Sequence, residues 1–473
     1  MKHLEMKKKA LSIYKTRDIL RSLFFIFFLG VLLTACGDDS NGGGSSGPTP
    51  PDVNPEDVLP QFVVESEETI VDEPKVNARL TVDVQEDRIF DGNIAIEFRG
   101  ATSQQIFPKK SFGFETRDAM NEDLDTTFFD MPEEEDWILN GPYSDKTFIR
   151  NVLIYDFARE MGQYASRTEL VELTVNGEYL GIYVLMEKLK RDNNRIDISK
   201  LNPDENSGED LTGGYILKID KVEGNNLGDG YNALNSFNSR IAPPSASGDI
   251  RFLYEYPDAE DITSEQKTYI QDYMHAFEAA LNGPEFMDEE NGYAAYINVE
   301  SFIDFFLLNE VSRNVDGYRL STFMHKDKNG KLNMGPIWDF NIAFGNANYC
   351  TGPDTDGWMY RFNEYCPGDF WLAPFWWGRL LEDPAYVDQL KNRWSMIRAS
   401  VLSRAAVEDK IDSYSNQLVR SGAVFYNDQK WGVIGTEVWP NNFVGATYDD
   451  EVQYLKSWLL NRIDWMDQAI DQL

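Results

Sequence analysis

The chain has 473 residues, of which 42% are apolar and 13% aromatic, so it can bury enough surface for two lobes or domains and is not a disordered protein. Its formal net charge is −35, from 44 basic and 79 acidic side chains. So acidic a surface repels phosphate backbones, and nucleic-acid binding is not expected. Solubility, affinity for cations and affinity for basic partner segments all remain open explanations of the charge.

Residues 1–35 are predicted to be a signal peptide. A basic stretch precedes the apolar run "SLFFIFFLGVLLTA" at 22–35, which is shorter than a membrane span. The run ends in "LTAC", which resembles the lipobox of bacterial lipoproteins, where the cysteine, here Cys36, is lipidated. The resemblance implies an exported lipoprotein at the outer membrane or cell surface of a Gram-negative bacterium, attached to the membrane through its lipid only. A short membrane anchor is the alternative. The Gly-, Ser- and Pro-rich residues 36–60 predict a flexible tether.

The next part of the chain is predicted to be rich in β-strands. Strand-like alternation with a period of two occurs in "NARLTVDV", "GNIAIEFRG" and "KKSFGFETR". A helix is predicted in "SDKTFIRNVLIYDFAREMG", with Asp145 capping its start and Gly162 following its end. Two strands, "LVELTVNG" and "YLGIYVLME", are joined by a tight turn at Asn176-Gly177. The strand "GGYILKID" then precedes a long loop predicted at 222–250.

After about residue 256 the pattern becomes helical. "EQKTYIQDYMHAFEAALNG" is amphipathic, and "VESFIDFFLLNEVSRN" is apolar nearly all round and should be buried. A β-hairpin is predicted within 314–345, with Asp316 just before it and Asp339 just after it. The tail 380–473 is predicted to be mostly helical. A cleft between the β-rich half and the helical half would be a natural ligand site.

The order of these elements is that of a protein kinase: a strand with lysines, a helix, two hairpin strands, a buried helix, an aspartate, a hairpin and a second aspartate. Over about 62–400 the chain resembles the CotH (spore coat protein H) kinase-like family, in "FRGATSQQIFPKKSFGFET", "DKTFIRNVLIYDFAREMG", "NGEYLGIYVLMEK" and "NVDG...GPIWDFNIAFG". The resemblance implies an α+β, atypical protein-kinase-like, two-lobed fold over 61–473. Its β-rich N-lobe would span about 61–255 and its mainly helical C-lobe about 256–473.

The resemblance also implies binding of ATP with Mg²⁺ or Mn²⁺ and phosphorylation of Ser or Thr in protein substrates. Asp316 matches the catalytic-loop aspartate of the family, and Asp339 matches the metal-binding aspartate of its Trp-Asp motif. Ser321 stands where kinases have a metal-binding asparagine, and Asn341 stands where relatives often have a second aspartate. Both are candidate metal ligands, and both lower the negative charge near the metal.

These two departures leave other readings open. The main alternative is a catalytically weak or inactive kinase-fold module at the cell surface, which binds or scaffolds a partner and could associate with carbohydrate. A glycosidase that uses Asp316 and Asp339 as its acid and base is a third possibility.

Further candidate residues lie in the first half. Strand alternation places Lys110 on the inward face with Phe112 and Phe114, so Lys110 rather than Lys109 is predicted to bind phosphate. By analogy with kinases, its helix partner would be Glu160 or Asp156. Glu187 and Lys188 stand where a kinase hinge contacts adenine, although an ordinary strand end would look the same.

The last candidates lie in the aromatic segment 348–380, which occupies the place of an activation segment. Export predicts an oxidising compartment, so Cys350 and Cys366 are expected to form a disulfide; two free thiols are the alternative. Most of the aromatic side chains are predicted to be core, and part of them could form a platform for a substrate, including a sugar.

Overall fold

A computed structural model describes residues 50–51, 53–222 and 230–473. The predicted signal peptide, Cys36 and the tether as far as residue 49 lie outside the described residues. None of the helices in the part of the chain that is described has both the length and the apolar character needed to cross a bilayer.

The first seven strands form a closed sheet in the order β1-β2-β3-β4-β5-β7-β6, which we call the closed sheet. They are β1 (Gln61–Glu65), β2 (Val76–Val84), β3 (Asp87–Arg99), β4 (Ser111–Arg117), β5 (Asp136–Asn140), β6 (Thr168–Val175) and β7 (Glu178–Glu187). Every neighbouring pair is antiparallel except β1 with β6, which is parallel and closes the sheet. Alternate side chains enclose an apolar core that includes Phe62, Phe112 and Trp137.

Two helices interrupt the closed sheet, α1 (Thr102–Ile106) before β4 and α2 (Arg150–Glu160) before β6. The predicted cap of α2, Asp145, lies several residues before the helix, which begins at Arg150. Its carboxylate nevertheless accepts the Arg150 N–H, at 2.9 Å. The tight turn between β6 and β7 is confirmed, because Asn176 and Gly177 both adopt positive φ, +49° and +77°.

Five later strands form a second sheet in the order β12-β11-β8-β10-β9. They are β8 (Tyr215–Ile219), β9 (Ser236–Asn238), β10 (Arg251–Tyr256), β11 (Thr322–Lys326) and β12 (Leu332–Met334). The expected hairpin is therefore β11–β12, and it pairs with β8 from the first half of the chain, Thr322 opposite Ile219. The predicted lobe boundary near residue 255 thus separates strands that belong to one sheet.

The rest of the chain is mainly helical, so the α+β class is confirmed. The remaining helices are α3 (Ser264–Asn282), α4 (Val299–Ser312), α5 (Phe362–Tyr365), α6 (Trp376–Leu380), α7 (Pro384–Arg398), α8 (Arg404–Arg420), α9 (Ala423–Trp431) and α10 (Tyr448–Asp471). Helix α3 starts with a capping box of Thr263 and Gln266. Helix α4 is buried on every side from Ser301 to Ser312, as its continuous apolar sequence predicts.

Candidate functional site

The β11–β12 hairpin places one aspartate at each end. The strands are antiparallel, with Met324 opposite Met334, and helix α4 leads into the hairpin through Asp316. Among residues 311–320, Asp316 is the one residue that is not buried. On the other side, four buried residues, 334–337, precede the partly exposed Trp338 and Asp339. Asp316 therefore reaches solvent from within a buried run, and Asp339 reaches it at the end of one.

Tyr349 lies in the region of both aspartates. Burial raises the pKa of its hydroxyl well above the usual value, and the negative charges of Asp316, Asp369 and Asp339 raise it further. Its ring stacks on Trp439, with the ring centres 6.1 Å apart. Asp316 and Asp339 therefore lie on the same side of the hairpin, in the region of Tyr349.

Asp316 is linked to the aromatic segment through one arginine. The Arg319 guanidinium donates to Asp316 Oδ1 at 2.7 Å and to Asp369 Oδ1 at 3.3 Å, and it lies 4.0 Å from the centre of the Phe362 ring. Asp369 in turn accepts the Trp371 N–H at 2.9 Å. This contact with Arg319 fixes the orientation of the Asp316 carboxylate.

Asp339 is held by helix α2 and has an unusual backbone. Its φ is +62°, in the left-handed region, which few residues other than glycine adopt outside special sites. Its N–H donates to the Tyr155 hydroxyl at 3.1 Å, and the next N–H, of Phe340, donates to Asn151 Oδ1 at 2.7 Å. Trp338 stacks on the Tyr155 ring with centres 6.1 Å apart. Two side chains of α2 therefore fix the conformation at this aspartate.

The prediction of which lysine points inward is wrong. Strand β4 begins at Ser111, so Lys109 and Lys110 both precede it and the strand alternation does not extend to them. Lys109 is the buried one: its Nζ donates to Ile182 O at 2.6 Å and to Asn427 Oδ1 at 2.8 Å, and burial lowers its pKa. Lys110 is half-buried, and its Nζ donates to the backbone oxygen of Gln104 in helix α1 and to Phe107 O, just after that helix, at 2.8 Å.

The expected helix partner of Lys110 is engaged elsewhere. Glu160 and Asp156 both pair with Lys410 of helix α8, at 2.7 and 3.3 Å. Asp156 also accepts hydrogen bonds from Arg159 and Tyr414. The analogy with the kinase Lys–Glu pair therefore fails here, and the phosphate role of Lys110 stays a prediction without that support.

Glu187 and Lys188, the predicted hinge residues, use their side chains within the protein. The buried Glu187 carboxylate accepts the Arg167 N–H at 2.9 Å and Arg167 Nη1 at 2.7 Å. Lys188 pairs with Asp136 at 3.0 Å. Their adenine contact stays a prediction, and it would have to involve groups other than these charged ends.

The predicted disulfide is confirmed. Cys350 and Cys366 are bonded, with their Cα atoms 5.7 Å apart, and the bridge closes the first part of the aromatic segment. Arg313 supports the same stretch by donating to Thr351 O at 2.8 Å. Trp376 and Trp377 are buried in the core, whereas Phe370 is 57% exposed, so most but not all of the aromatic side chains serve packing.

The family model described as CotH kinase protein matches residues 96–466, which include the hairpin, both aspartates and the disulfide. The chain belongs to the CotH kinase family. The family predicted from the sequence is thereby confirmed. No curated protein matches the chain.

The oxygen donors of the predicted metal ligands suit a divalent cation such as Mg²⁺. Asp339 offers a carboxylate, Ser321 a hydroxyl and Asn341 an amide oxygen, all hard ligands. Ser321 has a left-handed φ of +47°, and its N–H donates to the Asp220 carboxylate at the end of β8. Asp220 is a further acidic residue, close to the predicted metal ligand Ser321, that the sequence analysis did not identify.

Another acidic cluster is already paired with a basic side chain of the protein. The carboxylates of Glu134, Glu135 and Asp136 lie close enough together to hold a metal ion, but Lys190 binds all three at 2.5 to 2.8 Å. These carboxylates have their charge partner within the protein, so the cluster is best explained as a structural ion-pair network.

The sequence analysis missed the residues that surround the two aspartates: Arg99, Tyr155, Arg319, Tyr349 and Trp338. Each has a contact with a residue far away in the chain, which local patterning does not reveal. Local signals exist for three of them: Arg319 lies three positions after Asp316, Arg99 stands in "FRG", and Trp338 directly precedes Asp339.

Proposed function

We propose that this CotH kinase is an atypical protein kinase that transfers the γ-phosphoryl group of ATP to Ser or Thr of a protein substrate at the cell surface. In this proposal the closed sheet and the helical half act as two lobes, with the nucleotide between them. The observation that carries it is the placement of Asp316 just before one hairpin and Asp339 just after it, both of them partly exposed.

The residues of the site divide into two roles. Asp339, with Ser321 and Asn341, would hold Mg²⁺ or Mn²⁺, and a bound cation offsets the negative charge of the phosphates. Asp316 would accept a hydrogen bond from the acceptor hydroxyl and orient it. Arg319 holds the Asp316 carboxylate in place, which this role requires.

An apolar cluster next to Trp338 is suited to the adenine base. It consists of buried side chains from the chain after β7 and from β8 and β11, and Tyr164, Tyr256 and Trp338 border it with partly exposed rings. The residues in the core of the cluster are Leu189, Ile196, Ile198, Ile216 and Phe323. The partly exposed rings at its border, one of them next to Asp339, are the part of the cluster that a base would contact.

Phosphate transfer from labelled ATP tests the proposal. With Mg²⁺ or Mn²⁺, the wild type should label itself or a generic Ser/Thr protein substrate, whereas Asp316→Ala should bind nucleotide and lose transfer. Asp354→Ala, which removes an exposed aspartate from the following segment, is the matched control and should keep transfer. A wild type that binds no nucleotide with either metal would end the enzyme proposal.

Ser321 and Asn341 favour a second candidate, a kinase-fold binding module with little or no transfer activity. A serine hydroxyl reaches less far than the amide of the asparagine usual in kinases. Ser321→Asn separates the two candidates. Transfer that is kept or increased in this variant supports the enzyme, and nucleotide binding without transfer, even in Ser321→Asn, supports the binding module.

The surface location rests on the lipobox-like "LTAC" alone. Cys36→Ser should release the protein from membranes in a fractionation experiment, because it removes the proposed lipidation site. If the variant stays with the membrane fraction, the chain is held by a short anchor or by a partner, and lipidation at Cys36 is not what attaches it.

A further inference from the structure

We propose that a cavity between helix α2 and the β11–β12 hairpin, which we call the α2 cavity, is a regulatory site for a small organic cation with an apolar body, such as an aromatic amine. This ligand is neither the nucleotide nor the acceptor of the proposed function. The cavity has a volume of about 210 Å³. A cavity of about 150 Å³ holds a benzene ring, and drug-sized pockets begin at about 300 Å³. The α2 cavity therefore suits a single ring with a short side chain and is too small for ATP.

Four parts of the chain form the walls of the α2 cavity. They are the end of α2 with the turn that follows it (158–164), the chain after β7 (195–197), helix α4, and the hairpin with the residues after it (325 and 333–337). Hydrogen bonds tie these walls together. Gln163 Nε2 donates to Asp304 Oδ2 of α4 at 2.7 Å, and the Met334 N–H donates to Ser301 Oγ of α4 at 3.1 Å. The cavity is therefore part of the fold and exists before a ligand arrives.

One part of the lining is apolar and buried. It consists of side chains from α2, from α4 and from the chain after the hairpin: Ala158, Phe305, Leu308, Met334, Pro336 and Ile337. The partly exposed ring of Tyr164 lines the cavity as well, and an aromatic face attracts a cation. Transfer of an apolar ring from water to such a lining is favourable, so the body of the ligand should be apolar.

The polar groups left over in the lining are hydrogen-bond acceptors. His325 Nδ1 lies 3.1 Å from Gly335 O, which can only accept, so Nδ1 carries the proton of the neutral ring and Nε2 is left as an acceptor. Burial lowers the pKa of His325, which favours the neutral ring. Gln163 uses its amide N–H on Asp304, which leaves Oε1 to accept. Within the part of the chain that the structure describes, the exposed carboxylate of Asp197 has no ion pair or hydrogen bond. A ligand that satisfies these groups must donate hydrogen bonds.

The charge of the lining favours a cation. Arg195 also lines the cavity, but its buried guanidinium donates to Lys188 O and Asp136 O, both at 2.9 Å, and pairs with Glu134 at 3.3 Å. The charge of Arg195 is thus matched within the protein, whereas the charge of Asp197 is not. Asp197 is the exposed residue of the lining and so lies at the opening. An ammonium group bound at Asp197 would leave the apolar body of the ligand inside the cavity.

The walls of the α2 cavity also hold Asp339. Ala158 lies one helical turn after Tyr155, whose hydroxyl accepts the Asp339 N–H, and residues 334–337 lead directly to Trp338 and Asp339. A ligand that contacts both walls favours the arrangement in which α2 holds Asp339. Occupancy of the cavity should therefore strengthen binding of ATP with Mg²⁺, and by linkage ATP with Mg²⁺ should strengthen binding of the ligand.

Ligand-observed NMR titrations with benzylamine, benzyl alcohol and benzoate test the site. The wild type should bind benzylamine most tightly, because it joins an apolar ring to a charged donor, and benzoate least tightly. Ala158→Leu, which fills the cavity from α2, should abolish benzylamine binding. Asp197→Asn should weaken it about two- to fivefold, as expected for the loss of an exposed ion pair, and leave benzyl alcohol binding unchanged. Asp204→Asn removes an exposed aspartate outside the lining and is the matched control. In calorimetry with Mg²⁺, saturating benzylamine should tighten ATP binding about fivefold or more.

Each outcome decides one point. If Ala158→Leu binds benzylamine like the wild type, or if benzoate binds as tightly as benzylamine, the site is overturned. If adenosine displaces benzylamine, the cavity belongs to the nucleotide site and the inference is likewise overturned. If benzylamine binds and the affinity for ATP does not change, the regulatory role is overturned. A wild type that binds benzylamine but no ATP ends the proposed function, and the regulatory role with it, and leaves the binding site. Should Ala158→Leu not fold, Leu308→Phe, which fills the cavity from α4, takes its place.

Discussion

A buried ion pair anchors the segment that follows Asp339, and its removal should destabilise the protein strongly. Glu310 of helix α4 and Arg462 of helix α10 meet at 3.0 Å, and both side chains are fully buried. The Glu310 carboxylate also accepts the N–H groups of Met359 and Tyr360, both at 2.8 Å, and the Tyr318 hydroxyl at 3.0 Å.

The expected cost follows from what each substitution leaves behind. Glu310→Ala strands the buried charge of Arg462 and should lower the free energy of unfolding by about 3–5 kcal/mol. Arg462→Met leaves the Glu310 carboxylate with three hydrogen-bond donors but without its charge partner. It should lower the free energy of unfolding by about 3 kcal/mol. The double variant has no stranded charge, so its cost should fall short of the sum of the two by at least about 2 kcal/mol.

Urea unfolding followed by circular dichroism and tryptophan fluorescence measures these free energies. The matched control is Glu364→Ala, which breaks an exposed pair with Arg361 and should cost less than about 1 kcal/mol. A loss below about 1 kcal/mol in Glu310→Ala, or strictly additive costs in the double variant, would refute the reasoning.

Two further stability predictions concern the disulfide and one carboxyl group. Cys366→Ser should lower the free energy of unfolding by about 3 kcal/mol, the chain-entropy value for a bridge that spans 16 positions, and an unchanged urea midpoint would contradict it. Burial, with the charge of Asp130, raises the pKa of Glu169 to about 7. Because the pKa in the folded state exceeds that in the unfolded state, stability is lost as the pH rises through the interval between them. Glu169→Gln should remove this loss, so its advantage over the wild type should grow from near zero at about pH 4.5 to about 3 kcal/mol at about pH 8. An advantage that does not change with pH would count against a raised pKa.

Local sequence signals predicted the elements that depend on near neighbours. The Asn176-Gly177 turn, the all-round burial of helix α4 and the hairpin between Asp316 and Asp339 all follow from spacing or residue type over a short stretch. The disulfide followed from the number of cysteines and the expected export.

The contacts that shape the site could not be predicted in this way, because they join residues distant in sequence. Tyr155 holds the backbone of Asp339 across 184 residues, and Arg99 lies over Trp338 across an even longer separation in the chain. The lysine prediction failed for a different reason: alternation applies only within a strand, and β4 starts one residue after Lys110.

Metal-dependent nucleotide binding tests the central claim most directly. In thermal-shift measurements, ATP with Mg²⁺ or Mn²⁺ should raise the melting temperature of the wild type and of Asp316→Ala, but not that of Asp339→Ala. This pattern is expected because Asp339 is assigned to the cation and Asp316 to the acceptor hydroxyl. A wild type that ATP does not stabilise with either metal, or an Asp339→Ala variant stabilised as much as the wild type, would contradict the account.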